Sequence, residues 1–176
     1  SEEVEKRVRD FFPGINVVRR PQHLCGDDVS VNLILEESLE QIAGDFFIQT
    51  HVTNPCLKSS TIDAACFLFF SNIGAHDSCF SVTKHHSRFY DTQFQPINHN
   101  PDVLTQTQDL PPIYEDNSCF YIFSREGFKQ AGRRIGRNPL LFPVARIESS
   151  DIDTEEDFLM AELFFKHQQG GELNRG

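Results

Sequence analysis

The sequence lacks the features that mark membrane, secreted and disulfide-rich proteins. No apolar run among its 176 residues approaches the length of a membrane span, and its charged first residues, 1–6, do not predict a signal peptide. The five cysteines include no C-x-x-C pair and leave one over, which argues against a disulfide framework and a zinc cluster. We therefore expect a cytoplasmic protein that does not contact a membrane.

Basic charge is also scarce. The net charge of −10 argues against sequence-independent binding to nucleic acid, which needs a basic surface. The exception is segment 125–146, where six Arg and Lys residues accompany a single acid, Glu126. This segment is either a solvated helix face and loop or a local anion site within an acidic protein, and the sequence leaves both possibilities open.

An acidic motif near the end of the chain is the most informative feature present. The segment Asp151-Ile-Asp-Thr-Glu-Glu-Asp157 holds five acids in seven residues and follows the apolar-basic run 140–147. If the chain is extended there, Asp151 and Asp153 face the same way and offer paired oxygens to a Mg²⁺ ion that carries a substrate phosphate. Alternatively, Asp153 and Glu156 form a capping box at a helix N-terminus. A cap does not explain Asp151.

Helical and strand patterns alternate along most of the chain. The predicted helices cover 2–11, 29–43, 61–70, 126–131 and 154–167, and the predicted strands cover 46–50, 79–83, 119–123 and 142–147. Asp27 or Asp28 is the expected cap of the second helix. Such alternation predicts an α/β fold with a mainly parallel sheet and helices on both faces.

One domain is expected over residues 1–167, with an irregular insert at 84–116 and a flexible, polar, Gly-rich tail at 168–176. The insert is rich in His, Asn, Gln, Asp and Pro and has no core of its own. We therefore expect it to pack on a neighbour and predict a homodimer formed through residues 84–116.

Polar residues follow three of the predicted strands. They are His51 to Asn54, Lys84 to Arg88, and the Asp151 and Asp153 pair. Ligands of open α/β sheets bind beyond the carboxyl ends of the strands, where these segments would converge. The convergence favours a metal site over a simple cap at the Asp pair.

With these residues in view, the chain resembles the acylneuraminate cytidylyltransferase family, whose members activate acidic nine-carbon sugars. Four blocks carry the resemblance: Arg20-Pro21 with Gly26-Asp-Asp-Val-Ser30; His51-Val-Thr-Asn-Pro55 with Ser60-Thr-Ile-Asp63; Gln108-Asp-Leu-Pro-Pro-Ile-Tyr114 with Asn117 and Phe120-Tyr-Ile-Phe123; and the acidic motif 151–157. The last two blocks are the specific ones.

The resemblance implies a Rossmann-like nucleotide-diphospho-sugar transferase fold and a reaction between CTP and an acidic sugar. The sugar's anomeric hydroxyl would attack the α-phosphorus of CTP and release pyrophosphate. By the same resemblance, Asp151 and Asp153 hold Mg²⁺ at the catalytic centre. The other implied site residues are Arg20, Ser30 and His51 for the nucleotide, and Gln49, Asn117 and Tyr121 for the sugar.

The chain also departs from the family pattern. The family has a glutamine in the turn where this chain has His51, and Gln49 could take the place of that glutamine. Thr107 and Glu115 occupy positions where the family pattern predicts arginines. The sequence leaves open whether the substrate is a different acidic sugar or whether Arg88 supplies the missing charge.

The family's Gly-rich loop for the CTP phosphates has no counterpart in these residues, so we expect an N-terminally incomplete domain. The alternative function is therefore an inactive, truncated remnant that serves as a dimeric binding module. A metal-dependent glycosyltransferase with an Asp-x-Asp motif is a third possibility, although there the motif follows a middle strand.

Overall fold

The computed structural model describes residues 2–26 and 28–173, with side chains described as far as Gln168. The helices are α1 (Glu2–Phe11), α2 (Val31–Gln41), α3 (Ser59–Ser71), α4 (Arg125–Ala131) and α5 (Glu155–Leu173), and the strands are β1 (Phe46–Thr50), β2 (Ser78–His85), β3 (Ile113–Ser124) and β4 (Pro139–Pro143). The chain divides into two compact units, Ser1–Gly44 and Asp45–Gly176. The expected single domain over 1–167 stays a prediction.

The first unit contains α1 and α2. Helix α1 buries none of its residues, and Glu5 on it pairs with Arg9 at 2.9 Å and Arg19 at 2.8 Å. The N-cap of α2 is Ser30, whose hydroxyl accepts a hydrogen bond from the Asn32 N–H at 3.3 Å. The expected cap at Asp28 is therefore wrong, because the helix begins at Val31, and the other expected cap, Asp27, lies outside the described residues.

The second unit is built on a four-stranded sheet with the order β1-β3-β2-β4. Strands β2 and β4 pair in parallel, whereas β3 runs antiparallel to both β1 and β2. The α/β class is confirmed, but the expectation of a mainly parallel sheet needs correction because β3 is reversed. The reason is the insert: no α-helix is described between β2 and β3, and parallel neighbours need a crossover that is usually helical.

Helices cover both faces of this sheet. On one face, Ala65 and Phe69 of α3 pack in a buried cluster with Phe120 and Ile122 of β3. Side chains alternate along a strand, so Phe123 points to the other face, where its ring lies 5.6 Å from that of Phe128 in α4. The predicted two-sided arrangement is thus confirmed within this unit.

A bulge interrupts the pairing of β3 with β2. Phe80 pairs with Tyr121 and Val82 with Asp116, so the single residue Ser81 faces residues 117–120. The Ser81 hydroxyl fills the gap by accepting from the Phe120 N–H at 3.0 Å. Ser118 within the bulge has a φ of 57°, a left-handed conformation that is uncommon for residues other than glycine. Such bulges often re-aim side chains next to a site.

Helix α5 extends beyond its predicted end at residue 167. It continues through Leu173, so the predicted end of the helix is wrong, and residues 174–176 lie outside the described part. The flexibility expected for 168–176 stays a prediction. The extension is anchored where Gln168 donates a hydrogen bond to the Cys56 carbonyl at 3.2 Å. Within the described residues, no helix combines the length and apolarity needed to cross a membrane.

Candidate active site

A cleft of about 360 Å³ opens at the edge of the sheet where β2 ends and β3 begins. Its lining includes the carboxylates Glu115, Asp116, Asp151 and Asp153, the bulge residues Asn117 and Ser118, and Arg146. The predicted convergence of polar segments beyond the strand ends is therefore observed for β2 and for the Asp pair.

Asp151 and Asp153 reach the cleft by a different route from the one expected. Strand β4 ends at Pro143, and a turn at 146–149 separates it from the Asp pair, so the two residues do not continue the strand. The segment is held instead by the turn after β1: the Ile152 N–H donates to the Thr53 carbonyl at 3.0 Å, and the Asn54 amide donates to the Ser150 carbonyl at 3.2 Å. Both carboxylates still line one cleft.

Glu148 fixes the turn that precedes the Asp pair. This buried side chain accepts hydrogen bonds from the Thr61 hydroxyl at 2.6 Å and the Lys58 N–H at 3.1 Å. Those donors lie at the start of α3, where unpaired N–H groups and the helix dipole favour a negative charge. Glu148 therefore ties the cleft-lining segment to a helix N-terminus.

The helix cap falls on Thr154. Its hydroxyl accepts from the Asp157 N–H at 3.2 Å, and the Asp157 carboxylate accepts from the Thr154 N–H at 2.9 Å and hydroxyl at 2.7 Å. The hydrogen bonds from Thr154 hold the pKa of Asp157 below its usual value. The capping box predicted at Asp153 and Glu156 is wrong by one position, so capping does not account for Asp153.

The Asp pair suits a magnesium ion that is shared with a phosphate. Within the described residues, no His, Cys, Asp or Glu cluster of three or more could hold a metal alone. Asp151 accepts a hydrogen bond from the Ile152 N–H at 3.1 Å, whereas the Asp153 carboxylate accepts none from any described residue. Two hard oxygen donors with room beside them fit Mg²⁺, which keeps waters and takes substrate phosphate oxygens as further ligands.

Asn117 and Tyr121 occupy different layers of the site. The Asn117 amide lies in the cleft, 3.2 Å from the Thr83 hydroxyl. Tyr121 is fully buried, and its hydroxyl donates to Asp116 at 2.7 Å and lies 3.1 Å from the Ser118 hydroxyl. Burial and the adjacent Asp116 raise the pKa of Tyr121 to about 12. The side chain is absent from the described cleft lining and is linked to the cleft through Asp116 and Ser118, so the assignment of Tyr121 to the sugar stays a prediction.

Gln49 and His51 form a second polar cluster with Arg134. The Arg134 guanidinium donates to the Gln49 carbonyl oxygen at 2.8 Å and lies 3.6 Å from the centre of the Tyr121 ring. Gln49 Nε2 lies 3.1 Å from His51 Nε2. Because the Gln49 oxygen is taken by Arg134, its amide nitrogen donates to His51, which places the imidazole proton on Nδ1.

Charge around His51 links this cluster to the cleft. Burial and then the positive charge of Arg134 lower the pKa of His51, while Asp151 and Asp116 oppose the shift. His51 is therefore neutral at pH 7 and lies within electrostatic range of two cleft carboxylates. The sequence indicated Arg134 only as one member of the basic segment 125–146, since its partner Gln49 is 85 residues away.

Arg20 and Ser30 belong to the first unit. The Ser30 hydroxyl caps α2, and Arg20 is exposed. Their assignment to the nucleotide stays a prediction.

Comparison with known proteins bears on what this cleft does. The chain is 28% identical over 163 residues to an N-acylneuraminate cytidylyltransferase of Streptococcus agalactiae serotype V, a match that covers 88% of this chain and 39% of the relative. The serotype III protein of the same name is 26% identical over 162 residues, with the same coverage. The chain thus spans about two fifths of the length of these curated relatives.

The chain is similar to N-acylneuraminate cytidylyltransferases. This confirms the resemblance that was carried by the four sequence blocks. A shorter match, 32% identical over 65 residues, links 37% of the chain to 28% of the post-translational flagellin modification protein B of Campylobacter coli. No protein-family model matches the chain.

The fold has a solved counterpart. The structure of 4-diphosphocytidyl-2C-methyl-D-erythritol synthase from Anaerococcus prevotii superposes with a TM-score of 0.58, covering 94% of this chain and 78% of that one. At 10% identity this similarity shows the fold alone. The similarity agrees with the α/β fold seen in this chain.

Proposed function

We propose that the chain is the sugar-binding and metal-binding part of a cytidylyltransferase that transfers CMP from CTP to an acidic nine-carbon sugar. The observation that carries the proposal is the placement of Asp151 and Asp153 together in the cleft, with the capping role taken by Thr154 and Asp157. The similarity to N-acylneuraminate cytidylyltransferases supports the same conclusion.

The proposed reaction needs no covalent bond between the protein and a substrate. The anomeric oxygen of the sugar bonds to the α-phosphorus of CTP as the bond from that phosphorus to pyrophosphate breaks, and the hydroxyl proton passes to water. Positioning and charge neutralisation dominate such a step. Asp151 and Asp153 would hold Mg²⁺, which offsets negative charge on the phosphate oxygens. Asn117 would orient the sugar in the cleft, while His51 and Gln49, fixed by Arg134, would offer hydrogen bonds to the nucleotide and the sugar.

Pyrophosphate release tests the proposal. Two samples are incubated with CTP, Mg²⁺ and a panel of acidic sugars: the 176-residue chain and the product of the full reading frame that encodes it. We expect CTP-dependent pyrophosphate release with at least one acidic nine-carbon sugar and none with neutral hexoses. If no acidic sugar supports release, and the chain binds Mg·CTP no better than buffer salts do in calorimetry, the inactive binding module is favoured instead.

The insert supports a second element of the proposal, a homodimer. It presents exposed apolar side chains, of which Phe94 is 84% and Leu104 is 94% exposed. Tyr90, Ile97 and Val103 of the insert are exposed as well, and exposed apolar side chains that lie close together mark protein contacts. A second copy of the chain is the partner we propose.

Substitution of these side chains tests the dimer. Phe94→Asp with Leu104→Asp should give monomers in sedimentation without a lower melting temperature, because neither side chain is buried and aspartate tolerates the φ of 58° at position 94. Deleting the whole insert is a poorer test because Leu110 is buried. Val52→Asp, at a 97% exposed site outside the insert, is the matched control. A double variant that sediments like the wild type argues against this interface.

A further inference from the structure

The charge balance of the cleft is uneven. Four carboxylates line it, Glu115, Asp116, Asp151 and Asp153, yet among its described lining residues Arg146 is the only arginine or lysine. An acidic sugar that bound in the cleft would add a further negative charge to those of the four carboxylates. Without a cation, its carboxylate would be repelled by like charges in a partly desolvated cleft.

Two of the four carboxylates have side-chain partners, whereas the Arg146 side chain has none among the described residues. Glu115 pairs with His85 at 2.7 Å, and Asp116 accepts from the Tyr121 hydroxyl at 2.7 Å and the Ser118 N–H at 3.1 Å. The Arg146 guanidinium forms no ion pair and no hydrogen bond with the residues that the structure describes. Its five N–H donors are thus available to a ligand.

The backbone that carries Arg146 is fixed. Residues 146–149 form a turn in which the Ser149 hydroxyl donates to the Arg146 carbonyl at 3.2 Å and the Ser149 N–H donates to the Ala145 carbonyl at 3.1 Å. The buried Glu148 side chain anchors the same turn to α3. A guanidinium on a fixed turn loses less entropy on binding than one on a mobile loop.

Arg88 and Arg134 are engaged elsewhere. Arg88 donates to the Thr105 carbonyl within the insert and does not line the cleft. Arg134 holds Gln49 and covers the Tyr121 ring. Glu115, at a position where the resemblance predicts an arginine, carries the opposite charge.

We propose that Arg146 binds the carboxylate of the acidic sugar and thereby selects for substrates that carry one. The inference rests on the proposed function and deepens it. Planar guanidinium and carboxylate groups match in a bidentate pair. The phosphates of CTP are the less suitable partner, because they bring a Mg²⁺ ion to the Asp pair whereas the sugar brings no cation of its own.

Calorimetry with a charged and an uncharged sugar tests the assignment. The probes are N-acetylneuraminate and its methyl ester, which differ by the negative charge. We expect the wild type to prefer the acid and Arg146→Met to weaken acid binding roughly 10- to 100-fold, the range for losing a hydrogen-bonded charge partner. Ester binding should change less than about threefold, and Arg146→Lys should recover part of the preference.

Arg137→Met is the matched control, because Arg137 is an exposed arginine of the same basic segment and lies outside the cleft lining. It should leave binding of both sugars unchanged. Melting temperature separates a binding defect from misfolding, and Arg146 is exposed, so its substitution should not lower that temperature.

The outcomes separate the inference from the proposed function. Equal weakening of acid and ester, or weaker Mg·CTP binding with normal acid binding, overturns the assignment of Arg146. Binding of neither sugar by the wild type overturns both proposals. Acid-selective binding that needs Arg146, without pyrophosphate release, keeps the inference and overturns the proposed transfer reaction.

Discussion

Asp151→Asn is expected to abolish Mg²⁺-dependent nucleotide binding while leaving the melting temperature unchanged or slightly higher. Asparagine keeps the size of the side chain but removes one of the two anionic donors that a hard cation prefers. In the metal-free protein the same change removes one of two neighbouring like charges. Asp153→Asn should behave in the same way, because Thr154 and not Asp153 caps α5. Titration of Mg²⁺ against a fixed CTP concentration gives the binding, and calorimetric melting gives the stability.

Asp157→Ala is the matched control for this pair. It removes an acid from the same motif but breaks the capping box with Thr154, so it should lower the melting temperature and leave Mg²⁺ dependence intact. Mg²⁺-dependent nucleotide binding that survives in the double variant Asp151→Asn with Asp153→Asn would show that the pair does not hold the metal.

Arg134→Met is expected to destabilise the protein by about 2–4 kcal/mol. It removes a cation over the buried Tyr121 ring, worth about 0.5–1 kcal/mol where the cation stays partly exposed, and a charged hydrogen bond to Gln49, worth about 1.5–3 kcal/mol. The geometry supports both contributions, at 3.6 Å to the ring centre and 2.8 Å to the amide oxygen. Urea unfolding of the variant measures the loss.

The same substitution should change the response to acid. The pKa of His51 is lowered in the folded protein, so the unfolded chain binds its proton more readily, and stability falls as pH drops below the unfolded value of about 6.5. Removing the Arg134 charge raises the pKa of His51 in the folded protein and so narrows the pH range between its folded and unfolded pKa values. The variant should therefore lose less stability than the wild type between neutral and mildly acidic pH.

Arg133→Met provides the comparison for Arg134, because the Arg133 guanidinium reaches only the Gly136 carbonyl, at 3.5 Å, among the described contacts. It should change stability by less than about 0.5 kcal/mol, as is usual for surface substitutions. NMR titration of the His51 imidazole reports its pKa directly. An unchanged pKa in Arg134→Met would contradict the electrostatic link between the two side chains.

Sequence pattern predicted most elements of the second unit but not how its strands are arranged. Periodicity placed β1 at its observed bounds, and α3 and α4 within two residues of theirs. The reversed direction of β3 was missed because a strand pattern is the same in either direction, and only the connection decides the direction. The sequence analysis interpreted the long segment before β3 as an irregular insert. It did not recognise this segment as the connection that brings the chain back to the sheet in the opposite direction.

The cap of α5 shows the limit of local pattern. Asp153 with Glu156 and Thr154 with Asp157 both fit a capping box, and they are offset by a single residue. The structure selects the second, and the Ile152 N–H, bonded to the Thr53 carbonyl, holds the preceding segment against the turn after β1. That contact joins residues 99 positions apart in sequence, which no local rule can foresee.

By itself, the sequence determined the α/β class, the resemblance to acylneuraminate cytidylyltransferases and the identity of the Asp151 and Asp153 pair. These depend on periodicity and on short motifs, which are properties of neighbouring residues. Only the tertiary structure decided that Tyr121 is buried, that Arg134 holds Gln49, and that Arg146 faces a cleft of four carboxylates. Burial and charge pairing arise between residues distant in the chain, so they exist only once the sheet and its loops are in place.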